Sequence, residues 1–361
     1  MLTAEGCQNR QHRFREALAQ RGVTGPVLLA DPLHLNYLTG FTVDPISLSA
    51  DYGGLLMLAP DQPACIWHDD KLPASVESAH AQRVVLPWYD FQTPARMPRR
   101  LVWQQVADQL GLPIADAPGS ALRQVVVETI ADLRRSKDPD ELALLRRCMA
   151  AGEAGHAWAR VNLRPGISEL EIYAGVSQAC TLAAGQPVIV YGDFAVSPGP
   201  ERIGGPPTPR RLQPGDLFIL DFSVVIAGYR GDFTATLCVG GQPSAAQLQQ
   251  HQLCQQAMAA GEALLRAGQA CAAVDAAVRG VFAAAGLADY FPHHSGHGLG
   301  LAHPEAPYFV RHASETLRAG DVVTLEPGLY IPGQGGMRIE RNYLITPTGY
   351  EQLSHHTIAL A

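Results

Sequence analysis

Residues 215–241 read GDLFILDFSVVIAGYRGDFTATLCVGG. Two runs rich in Val, Ile, Phe and Thr flank the short AGYRG segment, the pattern of an antiparallel hairpin. One aspartate falls on each run, Asp221 in FILDFSVV and Asp232 in RGDFTAT. An unpaired carboxylate inside an apolar strand costs several kcal/mol of desolvation, so each asks for a partner. The same feature returns near the C-terminus. GDVVTLEPGLYI (320–331) and GGMRIERNYLIT (335–346) form a second pair of strand-like runs, carrying Glu326 and Glu340.

Each hairpin follows two helices. Residues 139–163 and 168–184 have helical spacing: Asp138, Pro139 and Glu141 fit an N-cap, a first-turn proline and a capping-box glutamate, and Ser168 with Glu171 repeats the box. Residues 245–267 and 270–286 read as two Ala-rich helices. Helix, helix, hairpin with two carboxylates therefore occurs twice. This inferred duplication predicts an α+β domain over 137–361 in which acids from both halves meet at the centre. Ahead of it, NRQHRFREALAQRG has helical spacing, and GPVLLA, GGLLMLA, PACIWHDD and QRVVLPW are strand-like runs. They predict a small α/β domain over 1–130, joined to the second domain by TIADLRRS (129–136).

Between the last helix pair and the last hairpin lies FPHHSGHGLGLAHPEAPYF (291–309), with His293, His294, His297 and His303. Singly, each acid reads as a strand-end residue bonded to backbone or to an arginine such as Arg338, and each histidine as a loop residue. Four acids paired across repeated hairpins are another matter. Their repulsion would raise their pKa values and destabilise the fold unless a cation sat among them. Hard oxygen donors with one imidazole suit Mn²⁺, Co²⁺, Fe²⁺ or Zn²⁺, and four carboxylates can bridge two ions. Such a pair can hold a hydroxide and polarise a carbonyl, which is hydrolytic chemistry.

The order Asp221, Asp232, His297 in HSGHGLG, Glu326 in TLEPGLY and Glu340 in MRIE resembles the pita-bread metallopeptidases. That superfamily holds methionine aminopeptidase, aminopeptidase P, prolidase and the metal-free hydrolase creatinase. LADPLHLNYLTGF (29–41) is similar to the creatinase/prolidase N-terminal domain, which points to the Xaa-Pro peptidase branch. The resemblance implies an α/β creatinase-like N-terminal domain and an α+β pita-bread domain with a curved antiparallel sheet covered by helices. It implies two divalent ions per subunit (Mn, Co or Zn). Asp221 and Glu340 would hold one, His297 and Glu326 the other, with Asp232 shared and Glu340 bridging as well. Glu326 would act as general base and acid, His293 would stabilise the tetrahedral intermediate, and Arg338 would orient an aspartate ligand. The implied activity is an exopeptidase on short peptides, Xaa-Pro dipeptidase or aminopeptidase, in a homodimer. Tyr37 or Trp67–His68 would reach the partner's site in such a dimer, although aromatics in such strings are more often core.

Three departures concern substrate contacts. His303 is displaced by one residue, Pro304 standing where the family has its histidine. On a strand that shift turns a side chain to the other face, unless a bulge restores its aim. No histidine occurs between His156 and His251, where Xaa-Pro peptidases carry one. The place of a carboxylate-clamping arginine falls at Tyr308, leaving Arg311, Arg202 or Arg210 as substitutes. His294 is expected to be structural or exposed. The alternatives are a same-fold peptidase without proline preference, including carboxypeptidase action; a creatinase-like C–N hydrolase; or a non-catalytic binding protein. The retained ligand set argues against the last two.

Composition excludes other classes. A net charge of −7 over 361 residues leaves no basic footprint for nucleic acid or an anionic membrane. No stretch of about 20 apolar residues suggests a membrane span. The N-terminus has charges throughout and does not read as a secretory signal. The seven cysteines are scattered and odd in number, as expected of reduced thiols in a cytoplasmic protein.

Overall fold

A computed structural model of the chain describes residues 1–42, 53–70, 79–94 and 100–361. They divide into two compact units, Met1–Arg134 with Asp138–Leu144, and Arg135–Lys137 with Leu145–Ala361.

The first unit contains α1 (Ala4–Gln20), β1 (Val27–Leu29), α2 (Pro32–Thr39), β2 (Gly54–Leu58), β3 (Cys65–Asp69), β4 (Gln82–Leu86), α3 (Arg100–Leu110) and α4 (Arg123–Leu133). The strands line up as β1-β2-β3-β4, with β3 and β4 parallel and the other neighbours antiparallel. Local chemistry sets α2: Asp31 accepts from the Leu33 N–H, Pro32 opens the helix, and Gly40 closes it at φ 69°. Tyr37 is fully buried, and Trp67 packs on the cluster of Leu28, Leu55 and Trp103, the core role such aromatics usually take. The expected connector 129–136 begins inside α4, which runs to Leu133. The Asp138 carboxylate pairs with Arg10 and Arg13 at 3.0 and 2.7 Å, while Glu141 accepts from the Asp138 N–H at 2.9 Å.

α5 (Pro139–Asn162) leads into the second unit. There follow α6 (Glu169–Ala184), β5 (Ile189–Val196), β6 (Leu217–Ile226), β7 (Tyr229–Cys238), α7 (Ala245–Glu262), α8 (Cys271–Ala284), β8 (Gly296–Gly298), β9 (Glu305–Phe309), β10 (Val322–Leu325), β11 (Gly328–Ile331), β12 (Gly335–Arg338), β13 (Arg341–Ile345) and β14 (Tyr350–Gln352). Capping boxes at Ser168–Glu171 and Ser244–Gln247 start α6 and α7. α7 ends at Glu262 rather than 267, because the Ala267 and Gly268 N–H groups bond to Thr346 and Leu317 carbonyls instead of continuing the helix. The helix pairs cover the sheets from which the acids project. α5 lies so close to β7 that a Cβ at Gly152 would come within 2.5 Å of the Phe233 ring. Cys254, Met258, Val274 and Phe282 of α7 and α8 pack against Leu325, Met337 and Ile339.

The first half forms an antiparallel sheet β5-β6-β7. The second hairpin is broken in two: β10 pairs with β13 and β11 with β12. Glu326–Pro327 and Ile339–Glu340 lie in the break, where proline has no N–H to offer a ladder. β10 and β13 extend into the sheet β14-β13-β10-β8-β9. The two halves meet where β7 abuts β12 and β13. Glu340 donates its N–H to the Thr234 carbonyl at 3.0 Å, and Thr236 Oγ1 donates to the Arg338 carbonyl at 2.8 Å. The Asn342 amide accepts from the Asp232 N–H at 3.3 Å and donates to the Asp232 carbonyl, so a side chain takes the place of a strand. All seven cysteines are buried and free. Among the described residues no helix is long and apolar enough to cross a membrane.

Candidate metal centre

The β6–β7 register pairs Asp221 with Thr234 and Ser223 with Asp232, so strand alternation puts all four on one face. Glu326 and Glu340 enter from the break in the second hairpin. His297 comes from β8, which runs tightly between its neighbours: a Cβ at Gly296 would lie 2.2 Å from the Thr324 carbonyl oxygen, and one at Gly298 2.1 Å from that of Ala306. The five side chains line one pocket of about 250 Å³.

Within it, His297 Nε2 is 3.5 Å from Glu326 Oε1 and 3.7 Å from Asp232 Oδ2. His297 Nδ1 lies 2.9 Å from the Gly298 carbonyl; a proton donated there leaves Nε2 as the lone-pair donor facing the carboxylates. Ligand atoms of Asp221, Asp232 and Glu340 lie within 4.8 Å of one another. The acids are held from behind. Thr234 Oγ1 donates to Glu340 Oε2 at 2.8 Å and Ser223 Oγ to Asp232 Oδ1 at 3.1 Å. Arg338 donates to Asp221, to Asp193 Oδ2 at 2.7 Å and to the Tyr330 hydroxyl at 2.6 Å.

Residues 143–347 match metallopeptidase family M24. The chain belongs to this family. It is 32% identical over 350 residues to the probable dipeptidase PepE of Mycobacterium tuberculosis (strain ATCC 25618 / H37Rv), covering 92% of this chain and 90% of that one. It is 29% identical over 358 residues to the uncharacterized peptidase YqhT of Bacillus subtilis (strain 168), covering 95% and 97%. The crystal structure of dipeptidase PepE from Mycobacterium ulcerans superposes with a TM-score of 0.79 at 29% identity, over 99% of this chain and 98% of that one. The Xaa-Pro dipeptidase from Bacillus anthracis, 24% identical, shares the fold with a TM-score of 0.79 over 98% and 99%. The chain is thus an M24 metallopeptidase of pita-bread fold, as the resemblance implied, in a family that binds divalent metals.

The residues of this M24 peptidase fit such an ion. Glu340 Oε1 is a buried oxygen with no hydrogen-bond partner. Burial, with repulsion from Asp232 and Asp221, holds Glu340 well above the usual carboxylate range. Burial also pushes Asp221 up to about 7 in spite of Arg338. Two carboxylates that resist ionising side by side, one with an idle oxygen, are what a cation would relieve. The other two acids are low. At Asp232 the hydrogen bond and charge of His303 outweigh burial, and at Glu326 the contacts of His294, His297 and His293 do so.

The peptidase brings together more imidazoles than its sequence suggested. His293 lines the pocket with Nε2 3.1 Å from the Tyr330 hydroxyl and Nδ1 2.8 Å from the His294 carbonyl, and burial lowers it to about 4. His303 reaches the site, its Nε2 2.5 Å from Asp232 Oδ2. It precedes β9, and the β8–β9 register slips between His297 and Gly298, so strand alternation does not set its direction. His294, expected to be structural or exposed, is half-buried in the pocket with its Nε2 3.0 Å from Glu326 Oε1.

Three expected substrate contacts lie elsewhere. Arg202 folds back onto the Gly204 and Pro206 carbonyls at 3.2 and 3.3 Å, satisfied within its own loop. Arg311 lines a different cavity beside α8, with Asp275 and Arg279. Tyr308 points its hydroxyl at the Pro304 carbonyl, 3.5 Å away, and is not among the lining residues. In their stead Tyr191 and Asp193 of β5 line the site, and Tyr330 of β11 backs it through His293 and Arg338. VYGDFAV carried the signal for Asp193: it is an acid in an apolar run, as Asp221 is, and it is the Cα partner of Asp221 across β5–β6.

Proposed function

We propose that this peptidase is a dinuclear exopeptidase of short peptides, acting on dipeptides in the manner of an Xaa-Pro dipeptidase or aminopeptidase P. Asp221, Asp232, His297, Glu326 and Glu340 hold two divalent cations, with Mn²⁺, Co²⁺ and Zn²⁺ as the candidates. When bound, the cations supply Lewis acidity toward a peptide carbonyl and a water acidic enough to attack it. The observation that carries the reading is Glu340 Oε1, a buried acceptor left idle in a pocket that Asp193, Asp221, Asp232 and Glu326 also line.

The protein's own groups do the rest. Glu326, kept ionised by its imidazole neighbours, takes a proton at its carboxylate and passes it to the departing amine. His293 stays neutral, fixed by Tyr330, and lines the pocket as a hydrogen-bonding group. His303 lines the pocket with its Nε2 against Asp232, placed to hydrogen-bond a substrate. The pocket, at about 250 Å³, is smaller than the roughly 300–1,000 Å³ of sites for drug-sized ligands, which favours a dipeptide. The relatives named as PepE dipeptidases point the same way. A homodimer and a cytoplasmic location belong to the same proposal, resting on the resemblance and on the free cysteines.

One observation argues against a clamp on a substrate's free carboxylate. Among the described lining residues the sole Arg or Lys is Arg338, already committed to Asp221, Asp193 and Tyr330, so no lining guanidinium is left for a free peptide carboxylate. The test is a panel of dipeptides and longer peptides, with and without proline and blocked at either end, assayed with Mn²⁺, Co²⁺ and Zn²⁺. Hydrolysis of unblocked dipeptides supports the proposal, and cleavage of amino-blocked but not carboxyl-blocked peptides reverses its polarity. No hydrolysis with any of the three metals sinks it.

A further inference from the structure

His294 stands outside the five-residue set, yet it turns into the same pocket. Its Nε2 lies 3.0 Å from Glu326 Oε1, and His297 Nε2 lies 3.5 Å from that same oxygen. The two rings are almost perpendicular, at 87°, with centroids 5.3 Å apart, so both present an edge nitrogen to one carboxylate. The ligand atoms of His294, His297 and Glu326 fall within 4.8 Å of one another. Two donors bound at about 2.1 Å to one cation stand about 3.0 Å apart at a right angle and about 3.4 Å apart at the tetrahedral angle. The spacing from Glu326 to His294, 3.0 Å, falls at the lower end of that range, and that to His297, 3.5 Å, just beyond its upper end. His303 is different, since its Nε2 sits 2.5 Å from Asp232 Oδ2, closer than donors sharing a cation stand.

We propose that His294 is a metal ligand, forming with His297 and Glu326 a two-imidazole, one-carboxylate position for a borderline cation such as Co²⁺ or Zn²⁺. The companion position of Asp221, Asp232 and Glu340 offers oxygen alone and suits the harder Mn²⁺. The two positions therefore differ in the metal they favour, and His294 widens a difference that His297 begins. This rests on reading the pocket as a metal centre.

The experiment strips the full-length protein with chelator and titrates it with Co²⁺, followed by visible absorption and equilibrium dialysis, then repeats the dialysis with Mn²⁺. The wild-type chain takes up two Co²⁺. In His294→Ala one of the two is expected to bind at least about tenfold more weakly, with an altered d–d band envelope and a smaller change for Mn²⁺. His294→Gln, which keeps a hydrogen-bond donor but not an imidazole, behaves like the alanine variant. An unaltered thermal unfolding midpoint for both metal-free variants shows that they fold. The proposal is overturned if His294→Ala keeps both affinities and the wild-type spectrum. It is also overturned if His294→Gln alone keeps them, which would make His294 a hydrogen-bond partner of Glu326. A wild-type chain that takes up no Co²⁺ overturns the metal centre itself, and this assignment with it.

Discussion

Thr234 holds Glu340 by a 2.8 Å hydroxyl-to-carboxylate bond that crosses from one half of the second unit to the other. The bond fixes one carboxylate oxygen and leaves Oε1 unpartnered. Thr234→Val keeps the volume and removes the donor. Groups that orient a ligand from behind are commonly worth 10–100-fold in metal affinity, so the variant is expected to bind metal about tenfold more weakly. Dialysis against graded Mn²⁺ measures this, and unchanged uptake would contradict the role given to Glu340.

Arg338 lies between two carboxylates that are direct Cα partners across β5–β6, Asp193 and Asp221. Arg338→Met leaves those acids facing each other with no cation. Removing one member of a buried ion pair typically costs about 3–5 kcal/mol, and urea unfolding of the metal-free variant is expected to show about 3 kcal/mol of loss. Adding Asp193→Asn to Arg338→Met recovers part of it. A loss below about 1 kcal/mol would mean that the arginine is not what keeps the pair together.

Lys137 and Glu305 form a buried pair at 2.8 Å, with side chains 1% and 8% exposed. Glu305 Oε2 also accepts from the Ala302 N–H, so the pair anchors the turn that carries His303. Lys137→Met is expected to destabilise by about 3 kcal/mol, and Lys137→Met/Glu305→Leu to regain much of that, since an apolar pair avoids the stranded charge. Peptide turnover in Lys137→Met falls along with stability, as His303 loses its fixed approach to Asp232. Full turnover in that variant would separate the anchor from the site.

His156 and His356 face each other 4.5 Å apart, their Nε2 atoms 3.1 and 3.0 Å from the Phe233 and Thr234 carbonyls. Burial pushes His356 down to about 4 and His156 well below the ordinary imidazole value of 6.5. Between those values the unfolded chain binds protons that the folded chain refuses, so stability increases with pH. It is complete above about pH 6.5 and is lost on acidification toward pH 4, by up to about 1.4 kcal/mol per pH unit per group. Denaturant unfolding from pH 7.5 to 4.5 reads the slope, and His156→Phe, whose ring stacks with Phe222 and Phe233, should flatten it. Asp221 and Glu340, both held above the ordinary carboxylate range, give the opposite slope in that window, so the reading is the difference between wild type and His156→Phe, and no difference removes the argument.

Some of this site was legible in the sequence and some was not, for physical reasons. Asp221 and Asp232 could be read because a carboxylate breaks the apolar alternation of a hairpin, and the hairpin dictates which residues share a face. Asp193 obeys the same alternation, but its place opposite Asp221 depends on the β5–β6 register, which the strand's own residues do not state. His303 was left undecided by a rule for strands, because it lies ahead of β9. His294 had no rule at all: it sits in irregular backbone before β8, where side-chain direction follows from the course of the loop and not from a period. The arginine substitutes lie outside the pocket lining, Arg311 beside α8 and Arg202 satisfied by carbonyls within its own loop, placements that loop sequence does not state. The break of the second hairpin at Pro327 was foreshadowed by the proline, and it is what frees Glu326 and Glu340 from the ladder.

The joint where β7 meets β12 and β13 has a consequence for how the molecule comes apart. Asp221 and Asp232 come from one repeat and Glu340 from the other, so neither repeat owns a complete chelate for the oxygen-only position. A cation lodged there would act as a keystone, resisting any opening that parts the repeats. Its removal is expected to slacken that joint before either repeat melts. Metal release and the exposure of Asn342, wedged against Asp232, should then follow a single time course.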